Sequence, residues 1–144
     1  MTGLLLLDTV VVLHLVRGNE TGRRIDAAMS LSGRAERPLI SIITVGEALG
    51  FAQYRGWGED KLERLRAYLD QFVAIDIHDE GVFEAYAAMH AFLVRRGRKL
   101  SDNDIWIAAC ARAASATLIT TDKDFDPLHG EFIQRIYFES KKAP

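Results

Sequence analysis

The chain has 144 residues, of which 49% are hydrophobic and 26% are charged, and its formal net charge at pH 7 is −2. This length suits one domain, and the composition excludes disordered and collagen-like proteins. Because there is no overall positive field, nucleic acid would have to bind at a local basic patch. The single cysteine, Cys110, excludes a disulfide framework and a cysteine zinc site; it is expected in the core, and the cytoplasm is the expected compartment.

The first third of the chain predicts two buried strands separated by two helices. The apolar run 4–7 has the length and composition of a strand buried on both faces, as in a parallel sheet. Apolar residues at 10–16 and at 21–31 predict helices, and a second apolar run, 39–43, leads into a helix that carries Glu47. Polar residues interrupt the apolar N-terminal stretch, so neither a signal peptide nor a membrane span is expected.

The remaining two thirds continue the same alternation of strands and helices. The pattern predicts helices at 59–69, 80–96 and 101–114, and strands at 72–77, 117–120 and 132–138, the last of them at a sheet edge. Such alternation is typical of a parallel sheet covered by helices. The sequence therefore predicts one α/β domain over residues 1–140, with a mostly parallel sheet of four or five strands and helices on both faces, and a frayed tail at 141–144.

Four acidic residues are expected at one edge of this sheet. Asp8 and Asp122 directly follow the first and fourth predicted strands, and Glu47 and Asp104 lie near the starts of two helices. The carboxyl ends of parallel strands form the edge where α/β proteins bind ligands. Acids without a histidine or cysteine cluster form an oxygen-only site, which suits Mg²⁺ or Mn²⁺, as one ion or two, and indicates phosphate chemistry.

Each acid also has a structural interpretation. Asp104 completes a Ser101-x-x-Asp104 pattern typical of helix capping, and Asp122 begins a segment rich in turn residues. Asp8 is harder to explain in this way, because a carboxylate inside an apolar run is costly to bury without a cation or donors. Several other aspartates lie close to predicted turns and are interpreted as capping residues. They are Asp76, Asp102, Asp124 and Asp126.

The pattern resembles the PIN-domain ribonucleases, and among them the VapC-like toxins of type II toxin–antitoxin systems. Four segments carry the resemblance across nearly the whole chain, in order and at suitable separations. They are Leu6-Leu7-Asp8-Thr9, Ile43-Thr44-Val45-Gly46-Glu47-Ala48-Leu49, Asp104-Ile105-Trp106-Ile107-Ala108-Ala109 and Leu118-Ile119-Thr120-Thr121-Asp122-Lys123-Asp124-Phe125. Each segment alone is weak, but the set is specific.

The resemblance implies Mg²⁺- or Mn²⁺-dependent endonucleolytic cleavage of RNA, with Asp8, Glu47, Asp104 and Asp122 as catalytic metal ligands. It also implies a homodimer and, for a toxin, inhibition by a small antitoxin protein. Hydroxyls at the positions of Thr9 and Thr121 often support the acids in this family. Since relatives differ in which aspartate of the last segment is used, the choice between Asp122 and Asp124 stays open.

Substrate contact is expected from the densest group of basic residues, just before the Asp104 helix: Arg95, Arg96, Arg98 and Lys99. The same residues also suit a solvated helix end. Trp57 or Trp106, if exposed, would offer a stacking surface for RNA. Two other functions fit less well: an aspartyl phosphatase would need a second aspartate at Val10, and an inactive scaffold would be expected to have lost at least one acid.

Overall fold

Short apolar segments form a five-stranded sheet in the computed structural model, which describes residues 3–140. The strands are Leu5–Leu7 (β1), Leu39–Ser41 (β2), Val73–Ile75 (β3), Thr117–Thr120 (β4) and Gln134–Tyr137 (β5). The helices are Thr9–Arg17 (α1), Glu20–Met29 (α2), Ile42–Tyr54 (α3), Glu59–Leu69 (α4), Glu80–Arg95 (α5) and Asp102–Ala113 (α6), and a short 3₁₀ helix spans Lys123–Leu128. The tail predicted at 141–144 lies outside the described residues.

All strand pairs in the sheet are parallel, in the order β3-β2-β1-β4-β5. This arrangement confirms the predicted fold class and the edge position of the last strand. The chain passes from β1 outwards to β2 and β3, and then returns to add β4 on the other side of β1. The point where the strand order reverses, at the carboxyl ends of β1 and β4, is where open α/β sheets form a ligand crevice.

The sheet is buried on both faces because helices cover each of them. Leu6 of β1 packs with apolar side chains of α5 and α6, whereas Leu5 and Leu7 point the other way and pack with α1 to α4. Successive side chains of a strand alternate between faces, so a central strand between two helical layers must be apolar throughout. Cys110 is buried in the first of these cores, as predicted.

Polar residues at the strand ends start the helices that follow. Asp8 caps α1 and Ser101 caps α6, each with a side chain that accepts a backbone N–H of the first turn. The prediction that the second strand extends to residue 43 is wrong. Ser41 accepts a hydrogen bond from the amide of Ile43 at 3.1 Å, so α3 already begins at Ile42. Within residues 3–140, no helix is long and apolar enough to cross a membrane.

Candidate active site

Asp8 is a buried carboxylate at the switch point of the sheet. Its side chain is 4% exposed, and its oxygens accept hydrogen bonds from the amide of Thr9 and the hydroxyl of Thr120, both at 2.8 Å. Burial raises the pKa of Asp8 to about 7, and repulsion from Asp104 and Asp122 adds to this rise, while the two hydrogen bonds oppose it. Asp8 is therefore either protonated, or ionised at a cost in free energy because its buried surroundings stabilise the negative charge poorly.

Glu47 is held in place by side chains from two other helices. The hydroxyl of Thr9, in α1, donates to Glu47 Oε1 at 2.7 Å, and the amide of Asn103, in α6, donates to Oε2 at 3.2 Å. Thr9 Oγ1 also lies 2.9 Å from Thr44 Oγ1. A hydroxyl has one proton, so Thr44 is the donor in that contact. Both carboxylate oxygens of Glu47 are therefore oriented before any ligand binds.

Asp104 lies in the first turn of α6 and faces other acids. Its amide donates to the Ser101 hydroxyl at 3.2 Å, as the capping pattern predicted. Burial raises the pKa of the Asp104 carboxyl to about 6, and the negative charges of Asp122, Glu47 and Asp124 push it in the same direction. Asp104 thus contributes its backbone amide to the cap of α6 and its carboxylate to the acidic cluster.

Asp122 follows β4 and interacts electrostatically with both Asp8 and Asp104. Its charge raises the pKa of both carboxyls, whereas Asp124 contributes to the pKa of Asp104. Asp122 is half-buried and caps the 3₁₀ helix by accepting from the Asp124 amide at 2.8 Å, whereas Asp124 is exposed. The four acids predicted from the sequence are thus brought to one edge of the sheet.

The donor set at this edge consists of oxygen atoms, as a hard divalent cation requires. Each of the two inner acids, Asp8 and Asp104, is destabilised as an anion, and a cation would relieve that cost. In the described part of the chain, no three acidic, histidine or cysteine side chains already surround one point as metal ligands. Hydrogen bonds already orient Asp8, Glu47 and Asp122, so binding of a cation would require these carboxylates and that of Asp104 to move closer together.

Comparison with known proteins identifies the family of this chain. The sequence profile of the PIN domain matches residues 5–130. The chain belongs to the PIN-domain family. Ribonuclease VapC5 of Mycobacterium tuberculosis is 28% identical over 126 residues, which cover 86% of this chain and 87% of the relative. Ribonuclease VapC4 of the same organism is 36% identical over 89 residues, which cover 60% of this chain and 67% of that relative.

Solved structures share this fold. VapBC-1 from nontypeable Haemophilus influenzae matches with a TM-score of 0.78 at 23% identity, over 93% of this chain and 97% of that chain. FitAcB from Neisseria gonorrhoeae matches with a TM-score of 0.71 at 26% identity, over 86% of this chain and 92% of that chain. The resemblance to VapC-like PIN domains that the sequence suggested is confirmed.

The hydroxyls around the acids differ partly from those predicted. Thr9 contacts Glu47 as expected, but at β4 it is Thr120 that donates to Asp8, and it also accepts from the Asp122 amide at 3.0 Å. Thr121 is half-buried and lies next to it. Thr120 was missed because a threonine at the end of a strand looks like an ordinary strand residue.

Two further polar contacts of this PIN domain, from Thr44 and Asn103, were also not predicted. A signal for Thr44 existed, because it lies three residues before Glu47 and therefore on the same face of α3. Asn103 reaches Glu47 across 56 positions of sequence, and such a contact depends on helix packing that no local pattern reveals.

The neighbouring aspartates make contacts outside the cluster. Asp76 accepts from the His78 amide at 3.0 Å, and Asp102 accepts from the Tyr86 hydroxyl at 2.9 Å. Asp126 forms an ion pair with Arg135 at 2.8 Å. Asp76 thus makes the local turn contact that its interpretation from the sequence implied, whereas Asp102 and Asp126 bond side chains of other elements and do not act as the predicted caps.

A cleft of about 520 Å³ opens beside Asp104 and Asp124 in this PIN domain. Two of the predicted RNA-contact residues, Arg98 and Lys99, line it. Arg96 instead lies over the ring of Phe92, with its guanidinium carbon 3.6 Å from the ring centroid. The basic group is therefore divided: its last two members share a cleft with Asp104, one of the four predicted acids.

The two tryptophans are both half-buried. Trp57 packs under the Lys61 ammonium, which lies 4.3 Å from its ring centroid, and Trp106 is stacked on Tyr86 at 4.0 Å. Neither indole is a fully open stacking surface.

Proposed function

We propose that this PIN domain is a Mg²⁺- or Mn²⁺-dependent endoribonuclease and the toxin of a toxin–antitoxin pair. The observation that carries the proposal is the buried Asp8 carboxylate, whose pKa is raised to about 7 beside Asp104 and Asp122. Such an arrangement is costly unless a cation neutralises it. The relatives VapC5 and VapC4 are named ribonucleases, which supports the same activity.

The cation would be held by Asp8, Glu47, Asp104 and Asp122. When bound, it supplies a Lewis acid that activates water and neutralises charge on the scissile phosphate. The chain contributes orientation: Thr9 and Asn103 fix Glu47, and Thr120 fixes Asp8. Asp8 and Asp104 would give up their protons as the cation arrives, so cation affinity should rise with pH. Asp122 is the better fourth acid than Asp124, because it is half-buried and acts on both inner acids.

The proposed partners follow from the relatives. VapBC structures are among the structural neighbours, including one of VapBC2 from Rickettsia felis bound to a DNA fragment from their promoter. We therefore propose a small antitoxin protein as the inhibitor of this chain. The homodimer that the sequence resemblance implies is proposed as its active form. We propose the cytoplasm as the compartment of this activity, because RNA is available there and the single cysteine stays reduced.

Adding Mg²⁺ or Mn²⁺ should raise the melting temperature of the protein and switch on RNA cleavage. Only the folded state brings the four carboxylates together, so only the folded state gains from the cation. Melting and cleavage are measured in millimolar MgCl₂ or MnCl₂ and in EDTA, with NaCl at matched ionic strength as the control. Identical melting and absent cleavage in all of these solutions would rule out the proposed site.

Replacing Arg98 and Lys99 together by alanine should weaken RNA binding and flatten its salt dependence. Each contact to a phosphate of a single strand contributes about 0.7 to the slope of log affinity against log salt, so the slope should fall by about 1.4. Arg95→Ala with Arg96→Ala removes the same charge outside the cleft and is the matched control. If the control pair flattens the slope and the cleft pair does not, the substrate path lies elsewhere.

A further inference from the structure

Three rings form a parallel ladder on the surface of α5 and α6. The ring of Tyr86 stacks on Trp106, with centroids 4.0 Å apart and planes inclined by 21°. The imidazole of His90 is also nearly parallel to the Tyr86 ring, with centroids 6.0 Å apart and planes inclined by 9°. Tyr86 and His90 are four residues apart in α5, which puts their side chains on one face of the helix.

The ladder is held firmly at its Trp106 end. The Tyr86 hydroxyl donates to Asp102 Oδ1 at 2.9 Å, which fixes the tilt of the central ring. Phe83 meets Trp106 edge to face at 6.1 Å, and His78 meets Phe83 in the same way at 6.0 Å. Tyr86 and Trp106 are half-buried between their neighbours, so the exposed rings lie at the two ends of the row: His90 at one end, and Phe83 and His78 at the other. Of these three, His90 lines the cleft beside Asp104.

His90 is the ring of the ladder that reaches the cleft beside the acids. It is exposed, and it lines this cleft together with Arg98, Lys99 and Asp104. The Tyr86 ring runs nearly parallel to the imidazole, and the exposed imidazole forms part of the wall of the cleft. A flat aromatic surface, two cations and a proposed metal ligand therefore share one concave space of about 520 Å³.

We propose that His90 is a stacking platform for one unpaired base of the RNA substrate, next to the phosphate that is cut. This inference rests on the proposed ribonuclease function and makes it more specific, since it names a residue that would contact a base of the substrate. Arg98 and Lys99 would hold phosphates while the base continues the ladder of rings. A paired base cannot do this, because both of its faces are covered inside a duplex. The arrangement combines a cationic groove with an aromatic surface, as in other single-strand binding sites.

The test compares a short RNA oligonucleotide with the same oligonucleotide made of base-free nucleotides. Every protein carries Asp8→Asn so that the RNA is not cut, and dissociation constants are measured by fluorescence anisotropy. His90→Ala should weaken binding of the normal oligonucleotide by about fivefold or more, leave binding of the base-free one unchanged, and keep the salt slope. His90→Phe, which keeps a flat ring, should restore affinity.

His78→Ala is the matched control, because His78 is an exposed histidine at the opposite end of the same row of rings. It should bind both oligonucleotides like the parent protein. Equal affinity of the parent for normal and base-free RNA overturns the proposal, and so does an equal loss on both when His90 is replaced. The ribonuclease function fails separately, if the protein with Asp8 intact shows no metal-dependent cleavage. Metal-dependent cleavage together with His90→Ala binding as tightly as the parent rejects the stacking site alone.

Discussion

Asp8→Asn should reduce RNA cleavage by about a thousandfold and, at the same time, stabilise the metal-free protein at neutral and alkaline pH. Loss of cleavage follows because the central carboxylate would no longer bind a cation. Stabilisation follows because asparagine keeps the shape and an acceptor for the Thr9 amide, while it removes a buried negative charge. A residue that only supports the fold would show the opposite effect on stability.

The pH dependence of stability gives the sign of this effect. Asp8 titrates at 3.8 as a free side chain and at about 7 in the folded protein, so the folded state binds the proton more tightly. Its contribution is fully present below about pH 4 and is lost as pH rises through about 7. The difference of roughly three pKa units sets an upper limit of about 4 kcal/mol on the loss.

Urea unfolding in EDTA between about pH 4 and pH 8 measures this contribution. The advantage of Asp8→Asn over the natural protein should be near zero at the acid end and grow steadily towards the alkaline end. Asp76→Asn is the control, because Asp76 also follows a strand but is exposed and makes a local turn contact. If Asp8→Asn destabilises the protein at about pH 8, the folded protein stabilises the Asp8 anion without a cation, which contradicts the proposal.

Much of the fold could be predicted because each helical layer leaves a clear mark on the sequence. The apolar run 4–7 signalled a central strand covered on both faces, and α4 was predicted with its observed bounds from the spacing of its leucines. The end of β2 could not be predicted, since apolar residues continue on both sides of Ser41 into α3. Only the position of Ser41 as a cap separates the two elements.

The acids of the site were predictable, but their partners were only partly so. Asp8 and Asp122 follow strands that become neighbours in a parallel sheet, so topology alone brings them together. Their supporting groups depend on side-chain direction. Whether Thr120 or Thr121 faces Asp8 is a matter of one step in a strand, which turns a side chain to the opposite face. The ladder of Trp106, Tyr86 and His90 depends on how α5 packs against α6, which periodicity does not specify.

Asp104→Asn should also strongly reduce cleavage, and this variant distinguishes a metal ligand from a helix cap. If Asp104 only stabilised the start of α6, its replacement would cost at most about 1 kcal/mol through the helix dipole, and cleavage would persist. The raised pKa of about 6 favours the other outcome. As at Asp8, a pKa that is raised in the folded state means that the ionised Asp104 carboxylate destabilises the folded metal-free protein above about pH 6. Asparagine should therefore maintain or increase stability there. The gain should be smaller than at Asp8, because Asp104 is only half-buried and solvent screens part of the repulsion.

One set of melts and one cleavage assay separate these outcomes. For a ligand, Asp104→Asn should shrink the rise in melting temperature that Mg²⁺ causes and lower cleavage by about a hundredfold or more. Asp79→Asn is the matched control, because it makes the same chemical change at the start of another helix. Asp79 caps α5 by accepting a hydrogen bond from the Gly81 amide at 2.7 Å. The control should leave both the Mg²⁺ effect and cleavage unchanged. If Asp104→Asn behaves like Asp79→Asn, its carboxylate is a capping group, and the metal must be held by Asp8, Glu47 and Asp122 without it.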